Sequence, residues 1–575
     1  MRKLLAVLLA MLMLTSLVAC GGNGGEESSA PISSESEEPT SSVEPDASVE
    51  PDASDEPDAS EEPDASEEPD ASGSTTTKTD KPTSSSKTSK TSTSKTSTTT
   101  QPIVTDYEKP HTGNGAGLWD PQKSSIDSKA EAMRQKVLNA ADTIKPSTSG
   151  TTYYVSYKGN DENDGLSPET AWRSTERVGR LPALIKTDST LLFERGGVYR
   201  GMMQVRDGMS IGAYGTGPKP QLYGATKSFA DEADWQKTSK ANVWKATLDK
   251  KYDHIGNIIF DHGKEYASPG MRFNMDALKE DFDYYHDIKN SAIYLYYSKG
   301  NPGAKFDSIE IAPKGAVLRR YERKVLLENV TIENLCVRYT CYGVSFAQGK
   351  NIKITGCEFG FIGGSMATNF DESKNKFVGE MVRLGNGIEF FGNVDGIHIE
   401  NNWIYQCYDA GFTIQGGNSH KNAVVKNNLL EYSHYNVELW LGERTGKVVN
   451  AIYEGNISRY AGFGFGSYNR IGSGQSAGSN FLTAYTADKV NPCENYVIRN
   501  NIIAGGQFGL VHSPIYDGVN GPKYEGNTWI QYGDYPALSC VAPGKLASSA
   551  LPGGSLANLK TAVGYLDKTA TVKYE

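Results

Sequence analysis

Nothing in this 575-residue chain is apolar for long enough to cross a bilayer. Its longest apolar run, residues 4–19, holds 16 residues and is broken by Thr15 and Ser16, where a spanning helix needs about 20. Cysteine is scarce at seven residues, and no two form a Cys-x-x-Cys pair, so neither a zinc site nor a redox motif is signalled. Cys336, Cys341, Cys357, Cys407, Cys493 and Cys540 are expected to be buried free thiols. A cationic surface is also missing. The formal net charge is −11, but it is unevenly placed. Residues 1–70 carry 18 carboxylates against Arg2 and Lys3, and residues 71–100 carry five lysines against Asp80, which leaves the other 475 residues at +1. Nucleic-acid binding rests on Lys and Arg neutralising phosphates, so a neutral body argues against that partner. The same neutrality favours neutral or weakly charged ligands over strongly anionic polymers. With 38% apolar and 22% charged residues, wholesale disorder is excluded.

Arg2 and Lys3 ahead of the apolar run read as a secretory signal peptide over residues 1–20. The run closes on Leu17-Val18-Ala19-Cys20-Gly21, which resembles the lipobox of bacterial lipoproteins. That resemblance implies lipidation at Cys20 and a membrane-anchored protein on the outside of a bacterial cell; two or more acyl chains anchor stably where one does not. Residues 21–105 follow as a disordered tether. Glu-Pro-Asp-Ala-Ser recurs every six residues from Glu44, Glu50, Glu56, Glu62 and Glu68, and a Ser/Thr/Lys tract follows. Regular proline, few apolar groups and like-charge repulsion keep such a segment extended. Drawn out at roughly 3 Å per residue, its 80 or so residues would reach on the order of 250 Å.

The segment 120–146 contains a helix expected over residues 128–144. Ser128 and Glu131 form a capping-box pattern, Ala130, Met133, Val137, Ala141 and Ile144 recur at helical spacing, and Pro146 stops it. Beyond it the chain repeats. One phrase recurs as Ile332-Glu-Asn-Leu335, Ile354-Thr-Gly-Cys357, Ile399-Glu-Asn-Asn402, Val425-Lys-Asn-Asn428, Tyr453-Glu-Gly-Asn456, Ile498-Arg-Asn-Asn501 and Tyr524-Glu-Gly-Asn527, with spacings of 22, 45, 26, 28, 45 and 26 residues. A second strand follows each, as in Gly343-Val-Ser-Phe346, Gly387-Ile-Glu-Phe390, Gly411-Phe-Thr-Ile414, Asn436-Val-Glu-Leu439, Gly462-Phe-Gly-Phe465 and Gly509-Leu-Val-His512. Short strands at a period in the twenties, joined by Asn/Gly turns, describe a parallel β-solenoid; the Leu-x-x-Leu-x-Leu spacing of a leucine-rich repeat is absent. Asn suits the turns because it tolerates the left-handed backbone conformation and can bond to Asn in neighbouring coils.

Tyr153-Tyr-Val-Ser156, the turn from Gly159 to Gly165, Ser167-Pro-Glu-Thr-Ala-Trp172 and Leu192-Phe-Glu-Arg-Gly-Gly-Val-Tyr199 resemble the opening coils of pectin-lyase-like proteins. The fold this implies is all-β, a right-handed parallel β-helix over residues 150–575. Between about 226 and 313 the repeat lapses, and Trp235, Trp244 and Tyr294-Leu-Tyr-Tyr297 read as short antiparallel strands of an inserted β module. Such an insert resembles the arrangement in β-helix glycosidases of the β-xylosidase type.

Alternate residues of a strand face opposite ways, which puts Ser345, Glu389, Thr413, Glu438 and Gly464 on the outside. Coils lie about 4.8 Å apart, so Glu389 and Glu438, two coils apart, would have Cα atoms roughly 10 Å apart. Asp409 stands at the mouth of the same strand as Thr413, with His434 its counterpart on the next coil. Paired carboxylates on one face suit glycoside hydrolysis, whose carboxyls stand about 5–5.5 Å apart for retention and about 6.5–9.5 Å for inversion. Phe391, Trp403, Tyr408, Tyr435 and Trp440 crowd the same coils and could stack on sugar rings. The glycosidase resemblance implies Asp409 as nucleophile and Glu438 as proton donor, with Glu389 or His434 tuning pKa or binding substrate. Tyr408, Gln415, His434, Tyr435 and Trp440 are the expected substrate contacts. No cluster of adjacent Asp of the kind that holds Ca²⁺ appears, and no metal or cofactor is expected. A polysaccharide lyase on the same fold, and a glycan-binding surface protein without catalysis, remain as alternatives. Long loops over residues 361–384 and 467–493 favour a walled cleft.

Overall fold

The computed structural model describes residues 124–575 apart from 181–187, 321–324, 375, 379–380, 442–446, 471–477, 485–492, 513–520, 540, 543–544 and 547–550. The expected signal peptide, Cys20 and tether all lie outside the described residues.

The body is a parallel β-helix with three strand-bearing faces. Each coil places a strand on the first face, such as Val424–Lys426, then one on the second, such as Leu429–Glu431, then one on the third, such as Tyr435–Leu441. The second face is a sheet of ten strands. The first and third merge into one of eighteen, because Ile388–Glu400 and Ala410–Lys421 run unbroken between those two faces.

The recurring phrase sets this register. Ile332, Ile354, Ile399, Val425, Tyr453, Ile498 and Tyr524 pair rung to rung in one line, all buried. Branched and aromatic side chains stacked on like neighbours give each strand a dry inner surface. At the corner after them the backbone enters the left-handed region at Asn334, Gly356, Asn401, Asn427, Gly455, Asn500 and Gly526, with φ between 54° and 68°, the conformation Asn and Gly adopt at least cost.

The next residue builds a continuous ladder. Each Asn oxygen accepts the backbone N–H of the preceding coil, from Cys357 to Asn402, Asn402 to Asn428, Asn428 to Asn456, Asn456 to Asn501 and Asn501 to Asn527, all at 2.9 Å. Each amide also donates to a carbonyl one coil back, as from Asn402 to Ile354 and from Asn428 to Ile399. Asp567 ends the series by taking the N–H of Asn527 at 2.9 Å. A short helix, Leu556–Gly564, and a last strand, Thr571–Tyr574, close this end.

The N-terminal helix runs Asp127–Leu138, ends six residues earlier than expected, and begins without a side-chain cap. Asp127 instead accepts the N–H of Ser124 and pairs with Arg459. The helix lies on the second face, where Arg134 reaches Glu431 at 2.8 Å and covers the Trp403 ring at 4.9 Å.

The inserted module has two small sheets. One orders Met271–Arg272, Tyr284–Asp287, Ala292–Tyr296, Val243–Thr247 and Trp235–Lys237; the other orders Glu265–Tyr266, Ile255–Phe260 and Ile309–Pro313. All their pairings are antiparallel except that of Met271–Arg272. The module has its own core, including Phe229, Trp235, Ile258, Phe260 and Leu295, which Met366 of the long loop joins. Cys336, Cys341, Cys357 and Cys407 are buried free thiols, and burial raises the Cys407 thiol to about 12. Cys493 is partly buried; Cys540 lies outside the described residues.

Candidate active site on the third face

Ser345, Glu389, Thr413 and Glu438 form one line of paired residues across four coils. Their neighbours in each strand, Val344, Ile388, Phe412 and Val437, form the parallel inward line and are buried. The fifth expected member is displaced: Leu482, not Gly464, pairs with Glu438. Alternating Gly-Phe-Gly-Phe imitates a strand, but Gly462 takes φ +85° and the chain turns into a short 3₁₀ segment, Phe465–Ser467. Gly464 is there for close approach, since a Cβ would stand 1.8 Å from the Tyr432 carbonyl oxygen.

Both glutamates are 8% exposed or less and hydrogen-bonded. Glu389 accepts from the Ser345 hydroxyl at 3.0 Å and from the Asn386 amide at 2.7 Å. Asn386 is held in turn by the Ala410 N–H, which donates to its side-chain oxygen at 2.8 Å. Glu438 accepts from Thr413 at 3.1 Å and from Gln415 at 3.2 Å, and Gln415 also donates to Thr413. Each carboxylate thus reaches toward the preceding coil, which maintains a spacing of two rungs, about 10 Å between backbones.

Asp409 sits at a bend between the strands Trp403–Cys407 and Ala410–Lys421, alongside His434. It is 7% exposed and paired with Arg470 at 2.7 Å. Arg470 also donates to the carbonyls of Tyr408 and Gly466, so one buried guanidinium fixes both the carboxylate and the bend that carries it. His434 has no exposed surface; its Nδ1 lies 3.0 Å from the Ser467 hydroxyl, and burial, with Arg470 and His512 nearby, holds its pKa well below the usual imidazole value.

The aromatic expectations need correction. Tyr408 is wholly buried, its hydroxyl donating to the Asn469 carbonyl at 3.0 Å, and so supports the bend from behind and offers substrate no surface. His434 is enclosed in the same way, and Trp403 and Phe412 are core. Tyr435 is nearly buried, edge-on to His434 at 4.5 Å. Phe391 is exposed. The side chain of Trp440 lies outside the described residues. Sequence reasoning missed Asn386 and Arg470; Arg470 belongs to a long loop that carries no repeat signal.

A family model covers part of this region. Residues 291–456 match the right handed beta helix region family. That match spans the strands bearing Glu389, Asp409 and Glu438, and the fold is a right-handed parallel β-helix. A lacto-N-biosidase of Bifidobacterium longum subsp. longum is 23% identical over 216 residues, 36% of this chain and 13% of that protein; the chain thus spans about an eighth of that relative's length. Among solved structures, one titled glycoside hydrolase aligns at 10% identity over 68% of this chain and 88% of its own, with a TM-score of 0.38. An alginate lyase from Paenibacillus sp. aligns at 12% identity over 64% of this chain and 89% of its own, with a TM-score of 0.31.

Proposed function

We propose that this chain is a carbohydrate-active enzyme, a glycoside hydrolase that cuts a polysaccharide or oligosaccharide on the third face, with Glu389 and Glu438 as its paired carboxylates and Asp409 as a third. The carrying observation is the ladder from Ser345 to Glu438, which sets two nearly buried carboxylates two rungs apart on one outward line. The lacto-N-biosidase likeness supports a glycan substrate. A two-rung separation suits direct displacement by water, for which carboxyls stand about 6.5–9.5 Å apart. In that reading one glutamate protonates the leaving oxygen, the other activates water on the opposite side of the ring, and Asp409, paired with Arg470, supplies fixed negative charge beside them. The glycosidase resemblance assigns Asp409 as nucleophile and Glu438 as proton donor, which requires retention.

The full-length chain, incubated with mixed plant and host glycans, should release reducing ends without the ultraviolet absorbance of an unsaturated uronate. Proton NMR of the first product distinguishes inversion, expected for Glu389 with Glu438, from retention, expected for Asp409. Glu438→Gln should lower kcat by about 10²–10⁴-fold with thermal unfolding nearly unchanged. Retained turnover overturns the assignment, and new absorbance instead of reducing ends replaces hydrolysis with elimination.

We also propose that the enzyme is held at the bacterial surface by lipid on Cys20, with residues 21–105 as its tether. The apolar run ending at Cys20 supports this. Cys20→Ala should move the protein from the membrane fraction to the soluble one.

A further inference from the structure

A cavity of about 170 Å³ lies between the inserted module and the long loop that carries Phe370 and Phe377, and Glu389, Asp409 and Glu438 do not line it. Two imidazoles do. His286, 6% exposed, accepts the Ile255 N–H on Nδ1 at 3.1 Å. Its proton must then be on Nε2, and that nitrogen is buried without a partner among the described residues. His254 accepts the Met366 N–H on Nδ1 at 3.1 Å, which likewise assigns its proton to Nε2; the two rings stand 5.9 Å apart. Burial keeps both neutral, with His286 lowered to about 4, so they are N–H donors and not cations. A buried donor without an acceptor is unfavourable, and a bound oxygen would satisfy it.

The remaining walls are aromatic and cationic. Phe377 meets His254 at 5.2 Å, Phe370 at 5.3 Å and Phe273 at 6.1 Å, and Phe273 is 43% exposed. Tyr285 adds another ring. Arg272, paired with Asp283 at 2.5 Å, and the exposed Lys376 bring positive charge.

We propose that this cavity binds a single sugar ring bearing a carboxylate, a uronate unit. The apolar C–H face of a pyranose fits the rings, its hydroxyl oxygens accept from the imidazoles, and its carboxylate meets Lys376 and Arg272. The volume lies below the 300 Å³ or so at which pockets enclose drug-sized ligands, which limits the occupant to one ring. Such a subsite reads a charged branch on a glycan that is otherwise neutral, in keeping with the near-neutral body. It stands independently of the hydrolase reading.

Saturation-transfer NMR on the full-length chain tests it, with D-glucuronate, D-glucose and benzoate as separate probes. Glucuronate should receive saturation; Phe273→Ala, at an exposed position, should abolish the transfer, Lys376→Ala should weaken it severalfold, and Glu438→Gln should leave it intact. No transfer to glucuronate, equal transfer to glucose, or transfer to benzoate alone overturns the proposal. So does persistence of the full signal in both Phe273→Ala and Lys376→Ala, or its loss in Glu438→Gln.

Discussion

The guanidinium of Arg383 lies 4.5 Å over the ring of Tyr408, and neither residue has exposed surface. Arg383 donates to the carbonyls of Gly364, Ser268, Asn469 and Gly256 and to the Ser268 hydroxyl. One side chain therefore joins the inserted module, both long loops and the residue preceding Asp409. Arg383→Met should cost at least about 3 kcal/mol, because hydrogen bonds to charged groups are worth about 1.5–3 kcal/mol each and the orphaned carbonyls stay buried. Arg383→Lys should recover little of it, lacking the planar fork. Urea unfolding checks both; a Lys variant of wild-type stability contradicts the bonding scheme.

Asp409 and Arg470 form a buried pair, with side chains 11% and 3% exposed. Removing one partner leaves an uncompensated buried charge, a loss of about 3–5 kcal/mol. Arg470→Met should therefore destabilise strongly, while Arg470→Met with Asp409→Asn should regain part of the loss. Additive effects in this double-mutant cycle would show that the two side chains do not interact.

His420 is an inward residue between Val394 and Val448, and neither ring nitrogen has a partner among the described residues. Burial lowers it to about 3, and burial likewise lowers His512 to about 4. Folded values below the usual 6.5 mean that the unfolded chain takes up protons first as pH falls. Stability is therefore complete above about 6.5 and lost below it, by up to about 1.4 kcal/mol per pH unit for each such histidine, until the folded value is reached. His420→Leu should stabilise by about 1–3 kcal/mol at neutral pH and flatten the slope between about pH 6.5 and 4. Urea midpoints across that range measure both effects, and an unchanged slope rules out His420 as a contributor.

Asn428 accepts from Asn402 and donates to Ile399 in the interior of the ladder. Asn428→Ala strands both groups in a buried corner, at a cost of at least about 2 kcal/mol. Asn428→Asp restores the acceptor but not the donor and should fall between. Hydrogen exchange at the Asn402 amide should rise in the Ala variant and stay protected in the Asp variant.

The repeating phrase made the coil register legible: every Ile, Val or Tyr that opens it stacks on its counterpart, because Asn and Gly mark the one corner that needs left-handed backbone. The ladder from Ser345 to Glu438 followed from strand alternation alone. Gly464 failed because alternation is a necessary mark of a strand and not a sufficient one; the chain turns at Gly462 and brings Gly464 against the Tyr432 carbonyl. Arg383 and Arg470 were illegible for a related reason. Their partners are mostly backbone carbonyls up to 127 residues away in sequence, and any sequence supplies carbonyls. Tyr408 looked like a sugar platform because its neighbours are polar, yet those arginines are what bury it.

Asp567 stands where the asparagine of a further coil would stand. Its carboxylate can accept the Asn527 N–H as that asparagine would, and also accepts from the Trp529 indole at 3.2 Å, but it has no amide to pass the pattern onward. A stack of this kind has no intrinsic length, since every coil is a template for the next. A chain cut before Leu556 would lose Asp567 and leave the last coil with an unpaired edge, the kind of template on which a further strand can add; Asp567 and the helix before it occupy that end instead.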